Sequence, residues 1–273
     1  MFKIDKKPTI IISAFIIIII TISIILFYIN NAPYFNIDLE YSKITSFSFW
    51  WYIVAKNIFT ITLFFAGLII PIITCYAFFK IYHSGYLTNL IQRDNSNNII
   101  KKQILYSWLK NLIIPIILLI FLIISTILFP NQNFEYSSVG SSFNFGHKFM
   151  ETLSPYLFIF LYLLILFLYG IFITNISIIL SRYIKKFSIL LIFNFIIMMV
   201  LECIGNFIIG PIIATITKIE GINNVFSLLN IVYLDGIPNI WLTFAFLIII
   251  NIIAILIIYK IYSNKEKVLN NYE

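Results

Sequence analysis

Charge is what this sequence has least of. Only 11% of its 273 residues are Asp, Glu, Lys or Arg, while 61% are hydrophobic. A soluble domain carries about 25% charged residues to cover its exterior, so this chain cannot coat a globule in water, and a bilayer is the solvent that suits it. Cysteine is nearly absent as well. Cys75 and Cys203 both fall inside apolar runs, which excludes a disulfide framework and a four-ligand zinc site and leaves both as packing residues. Nor does the chain contain a Gly-x-x-x-x-Gly-Lys-Ser/Thr loop, a Gly-x-Ser-x-Gly elbow or a His-Glu-x-x-His pair. No catalytic residue, metal site, cofactor or nucleotide site is therefore expected within it. His83 and His147 fall on opposite expected faces of the membrane and cannot share a proton or a metal. The net charge of +7 is scattered over short loops, which argues against a nucleic-acid surface.

What is present is isoleucine, 67 residues of it. A membrane helix needs about 20 apolar residues, and six stretches qualify: residues 10–29, 49–79, 105–129, 156–180, 187–216 and 240–261. The first follows Lys3, Lys6 and Lys7 but is too long for a signal peptide and shows no cleavage site, so it is read as a span. The second contains Gly67 and Pro71, and the fifth Gly205, Gly210 and Pro211; both are expected to bend. Lys and Arg divide unevenly between alternate connections. Lys3, Lys6, Lys7, Lys80, Arg93, Lys101, Lys102, Lys110, Arg182, Lys185, Lys186, Lys260, Lys265 and Lys267 make 14 on one side, against four on the other, Lys43, Lys56, Lys148 and Lys218. The positive-inside rule places both termini in the cytoplasm, which an even number of spans requires. Trp50, Trp51 and Trp241 at outer ends, and Trp108, Tyr259 and Tyr262 at inner ends, read as interfacial anchors.

Two connections carry a pattern of their own. In residues 81–104, Ser84-Gly85-Tyr86-Leu87 leads into Leu87, Leu90 and Ile91 at helical spacing, and then a polar turn of Asn and Ser. This reads as a short amphipathic helix on the cytoplasmic face, either receiving force from a soluble partner or resting in the headgroups with its bases against anionic membrane lipid. Residues 223–236 hold a 10-residue apolar stretch after Asn223 and Asn224, too short to cross, which fits an outer re-entrant helix or a lid. Within the spans, Glu202 is the acidic residue nearest mid-membrane. It is expected to avoid lipid. At 100° per residue Asn194, Glu202 and Asn206 fall at about 0°, 80° and 120°, a broad polar side that suits a substrate path or hinge, or hydrogen bonds that fix helix packing.

The run from Pro71 through Ser84-Gly85-Tyr86-Leu87, Arg93 and Lys102 resembles the corresponding stretch in permease subunits of the ATP-binding-cassette type-2 exporter family from low-GC Gram-positive bacteria. The resemblance in motif covers about 30 residues, and that in topology the whole chain. It implies an all-α, six-span, ABC-2-type (type V exporter-like) permease fold. It also implies a coupling role for Ser84, Gly85, Tyr86, Leu87, Arg93 and Lys102 against an ATPase subunit, and a second permease copy or homologue as partner. Lys80-Ile81-Tyr82-His83 lacks the acidic residues such stretches often carry, which leaves room for a degenerate or specialised ATPase. The expectation is export of an amphipathic or hydrophobic substrate across the plasma membrane, driven by ATP that another chain hydrolyses. Pro71 and Pro211 would serve as hinges beside Asn194, Glu202 and Asn206. The alternative is a non-transporting membrane protein, an immunity, sensory or assembly factor with no ATPase partner.

Overall fold

A computed structural model of the chain describes residues 7–35, 45–56, 65–84, 96–128, 154–219, 221–233 and 239–262. Hydrocarbon offers no partner to a backbone N–H or C=O, so apolar runs close their hydrogen bonds internally as helices. The elements are α1 (Lys7–Phe35), α2 (Ser46–Lys56), α3 (Ala66–Thr74), α4 (Tyr76–His83), α5 (Ser96–Leu109), α6 (Ile113–Leu128), α7 (Pro155–Leu180), α8 (Phe187–Ile204), α9 (Gly210–Thr217), α10 (Leu228–Tyr233) and α11 (Ile240–Tyr262). A 3-10 turn, Lys110–Leu112, joins α5 to α6, a π turn, Gly205–Ile209, joins α8 to α9, and a second 3-10 turn, Ile222–Phe226, precedes α10. No strand occurs among the described residues.

Among the described residues, four helical stretches are long and apolar enough to cross a membrane: Ile100–Leu128, Pro155–Leu180, Phe187–Thr217 and Ile240–Tyr262. A fifth crossing is formed if α3 and α4, which bend by 60° at their junction, count as one. The chain is thus an all-helical membrane protein. The run expected over 49–79 is not one straight helix. Its start lies in α2, residues 57–64 fall outside the described set, and the remainder is the bent pair. α1 runs over 29 residues and contains the apolar stretch Ser13–Leu26.

Helix directions follow from who meets whom. Thr74 meets Thr174 and His83 meets Ser181, so the bent pair runs parallel to α7. Asn251 meets Asn175 and Tyr262 meets Ser181, so α11 does too. By contrast, Phe65 stacks on Phe195 while Phe79 packs on Phe187, which sets α8 antiparallel to the pair. Trp108 bonds to Asn175, whereas Leu118 and Tyr162 both meet Trp50, so α5 and α6 oppose α7. This alternation gathers Lys80, Lys101, Lys102, Arg182, Lys185, Lys186 and Lys260 at one end of the bundle. In the apolar window of α7, 72% of residues are buried, against 17% for the α8–α9 stretch. α7 is the post, and α8 and α9 lie on its flank.

Trp50 and Trp51 are not interfacial anchors. Both are buried, in an aromatic cluster where the Trp51 ring lies 4.9 Å from Phe158 and 5.0 Å from Tyr162, edge to face. The Trp50 Nε1–H donates to the Leu118 carbonyl at 3.0 Å. Edge-to-face ring packing, and for Trp50 a satisfied indole N–H, make the interior a better place for them than the headgroups. Tyr262 is also buried, while Trp241 and Tyr259 are exposed as anchors would be.

Candidate functional site

A proline has no N–H to give to the carbonyl four residues before it, and in a membrane that carbonyl needs another donor. Pro71 lies inside α3, buried, and the carbonyl it cannot serve is that of Gly67. The Asn194 Nδ2–H on α8 donates to that oxygen at 2.7 Å. A buried side chain of the fifth predicted span thus completes the backbone of the second. The 60° bend comes at Cys75, whose N–H returns to the Pro71 carbonyl at 2.8 Å. Cys75 is buried at the joint, whereas Cys203 is exposed on the flank.

Pro211 interrupts the fifth span differently, at the start of α9. Its missing N–H coincides with the π turn, in which Gly210 donates to Gly205 five residues back, a widening typical of functional positions in helices. Against this turn packs the segment of residues 221–233, expected on the outer side from the loop charges and named the outer segment for that expectation. Ile222, Val225, Leu228 and Ile231 are buried in the core, and Gly221 reverses the chain with a φ of 76°. A Cβ on Gly205 would sit 1.9 Å from the Phe226 carbonyl oxygen, and one on Gly210 would sit 2.9 Å from the Asn223 Cβ. Only glycine permits this approach.

Glu202 fastens the same contact. One carboxylate oxygen accepts the Ser227 hydroxyl at 2.6 Å and the other accepts the Leu229 N–H at 3.0 Å. Ser227 also caps α10 by accepting the Asn230 N–H at 3.1 Å. The two oxygens of one side chain thus take up two donors that the outer segment would otherwise leave unpaired, and hold the segment on the fifth span. Of the stretch 223–236, read as a re-entrant helix or a lid, the described part is a 3-10 turn, a break at Ser227 and α10, whose start Ser227 and Glu202 cap. Asn206 lies half-buried on the π turn. Asn194 and Glu202 do not converge: one joins α3, the other the outer segment.

A polar seam crosses the middle of the bundle. The Thr174 hydroxyl lies 3.0 Å from that of Thr74, the Asn111 amide donates to Thr174 at 3.0 Å, and the Trp108 N–H donates to Asn175 at 2.7 Å. The Asn175 amide donates in turn to Asn251 at 3.1 Å, and Asn251 donates to the Leu168 carbonyl at 3.1 Å. A Cβ on Gly170 would lie 2.6 Å from the Asn111 Oδ1, so α7 admits Asn111 at a glycine. Sequence reasoning centred on ionisable groups and passed over these amides and hydroxyls. Their signal was an Asn or Thr recurring deep inside otherwise apolar runs.

At the basic end, Ser84 follows α4 directly, exposed, with its hydroxyl donating to Ile81 at 3.2 Å. One residue earlier the His83 Nε2–H donates to the Ser181 carbonyl at 2.8 Å, and Arg182 donates to the Ile261 carbonyl at 2.5 Å. Lys102 is exposed on α5. Gly85, Tyr86, Leu87, Arg93 and His147 lie outside the described residues. Among the described residues no three His, Cys, Asp or Glu side chains come together. The class that fold and site define is an all-helical membrane protein with two interrupted, cross-braced spans. Compared with known proteins, the chain matches no family model, no curated protein and no solved structure.

Proposed function

We propose that the chain is the membrane-spanning half of an ATP-driven exporter. It crosses the plasma membrane six times, keeps both termini in the cytoplasm, and works with a second permease, identical or homologous, and two ATPase subunits supplied in trans. One observation carries the reading. Ser84 ends α4 at the basic end of the bundle, and α4 meets α3 through a 60° bend next to the Pro71–Gly67–Asn194 joint with α8. A push on residues 84–93 reaches the second and fifth spans together through this lever, and the fifth carries the outer segment at Glu202. Closure of the ATPases thereby shifts the bundle from inward- to outward-facing. The cargo is an amphipathic or hydrophobic molecule, a peptide, antibiotic or lipid, since the described interior offers amides, hydroxyls and a single carboxylate.

The test is co-purification from native membranes with an ATPase that carries a Walker A motif, such as one encoded in an adjacent reading frame. The complex is expected to be lost when Gly85 and Arg93 are replaced together by Ala. A complex and export rate unchanged by that pair of replacements would remove the coupling role. A second reading, a non-transporting immunity, sensory or assembly factor, is favoured by the polar seam, which ties four spans into one block.

A further inference from the structure

Between α5 and α11, at the basic end, lies a cavity of about 290 Å³ lined by Lys101, Ile104, Leu105, Trp108, Ile255 and Tyr259, with Ile100, Ile258 and Tyr262 at its back. Trp108, which lines it, is tied through Asn175 to Asn251. Its two buried donors are already used, the Trp108 N–H by Asn175 and the Tyr262 hydroxyl by the Ile178 carbonyl. Apart from Lys101 and the exposed Tyr259, a guest therefore meets hydrocarbon walls. Leu105 and Tyr259, 53% and 59% exposed, are the most exposed of its apolar lining residues. Apolar walls alone select nothing in a bilayer, because lipid tails are as apolar as leucine. Selection comes from charge. Lys101 lines the cavity, Lys102 follows it on α5, and Lys260 stands on the last turn of α11, all exposed. The one acidic residue among the described residues, Glu202, belongs to the distant outer-segment contact.

We infer that this cavity is a binding site for an anionic membrane phospholipid, which lays part of one acyl chain between α5 and α11 and sets its phosphate against Lys101. Its volume lies at the lower end of the ~300–1,000 Å³ typical of small-molecule sites, enough for part of one chain but not for a whole lipid. A basic pocket between membrane helices at the positive side is the arrangement that recognises anionic headgroups. The site is independent of the export reading.

Native mass spectrometry of the purified full chain, titrated with phosphatidylglycerol and phosphatidylcholine of matched chains, tests it. Phosphatidylglycerol is expected to be retained preferentially. Lys101→Gln should cut that preference about fivefold, the value of one Lys at an anionic surface, and Lys101→Arg should keep it. Leu105→Trp, at an exposed position, fills the cavity and should lower retention of both lipids. Equal retention of the two lipids by the unaltered chain overturns the proposal, as does a preference that survives Lys101→Gln. A photo-crosslinker at position 105 that captures residues 263–273 of the same chain instead of lipid also overturns it.

Discussion

Asn194 and Pro71 act as one unit across two helices, and this makes their energetics testable. Asn194→Ala leaves the Gly67 carbonyl without its donor and should destabilise the fold by about 1–3 kcal/mol. Pro71→Ala returns a backbone N–H to that carbonyl, so Asn194→Ala should cost less in that background. Equilibrium unfolding in mixed micelles should give a coupling of about 0.5–2 kcal/mol between the two sites, and strictly additive losses would show that they do not share an acceptor. Glu202 makes a graded case. Glu202→Gln keeps an acceptor for one of the two outer-segment donors and Glu202→Ala keeps neither. Protection of residues 221–233 from protease should therefore fall in the order wild type, Glu202→Gln, Glu202→Ala. Equal cleavage rates would mean that the carboxylate does not hold the segment.

Among the elements, the π turn and the outer segment form a matched pair. Gly205→Ala drives a Cβ into the Phe226 carbonyl, so the segment must lift, and amide exchange at Leu229 should rise while that of α7 stays slow. An unchanged rate at Leu229 would place the contact elsewhere. The seam through α7 is a softer constraint. Asn251→Leu should cost roughly 0.6–1.7 kcal/mol, since each membrane hydrogen bond contributes little alone. These elements were unequally legible in the sequence. Apolar runs and the prolines inside them announced the helices and the two interrupted spans, because composition alone decides what lipid accepts. The partners were not legible. Asn175 and Asn251 stand 76 residues apart, and nothing local records that two parallel helices bring them to one depth. Trp50 and Trp51 misled for the same reason, since an aromatic near a span end can face headgroups or neighbouring rings, and only packing decides.

For the whole molecule, the alternating helix directions and the clustered bases make a prediction about sidedness. In a background with Cys75 and Cys203 replaced, Lys218→Cys should react with an impermeant maleimide in intact cells, and Lys102→Cys only after permeabilisation. The reverse result would invert the orientation and remove the ATPase from its proposed seat. The gathering of bases at one end of the bundle was legible from the loop charges, whereas the 60° bend and the hold of Glu202 on the outer segment needed the assembled fold. The brace between Asn194 and Gly67 spans 127 residues of sequence. During synthesis at about 5–20 residues per second, the helix containing Pro71 leaves the translocon on the order of ten seconds before its donor has been made. Biogenesis thus includes an interval in which an early segment sits in lipid with an unmet carbonyl, and a ribosome stalled before codon 194 would leave behind a half-built bundle that quality-control proteases can recognise.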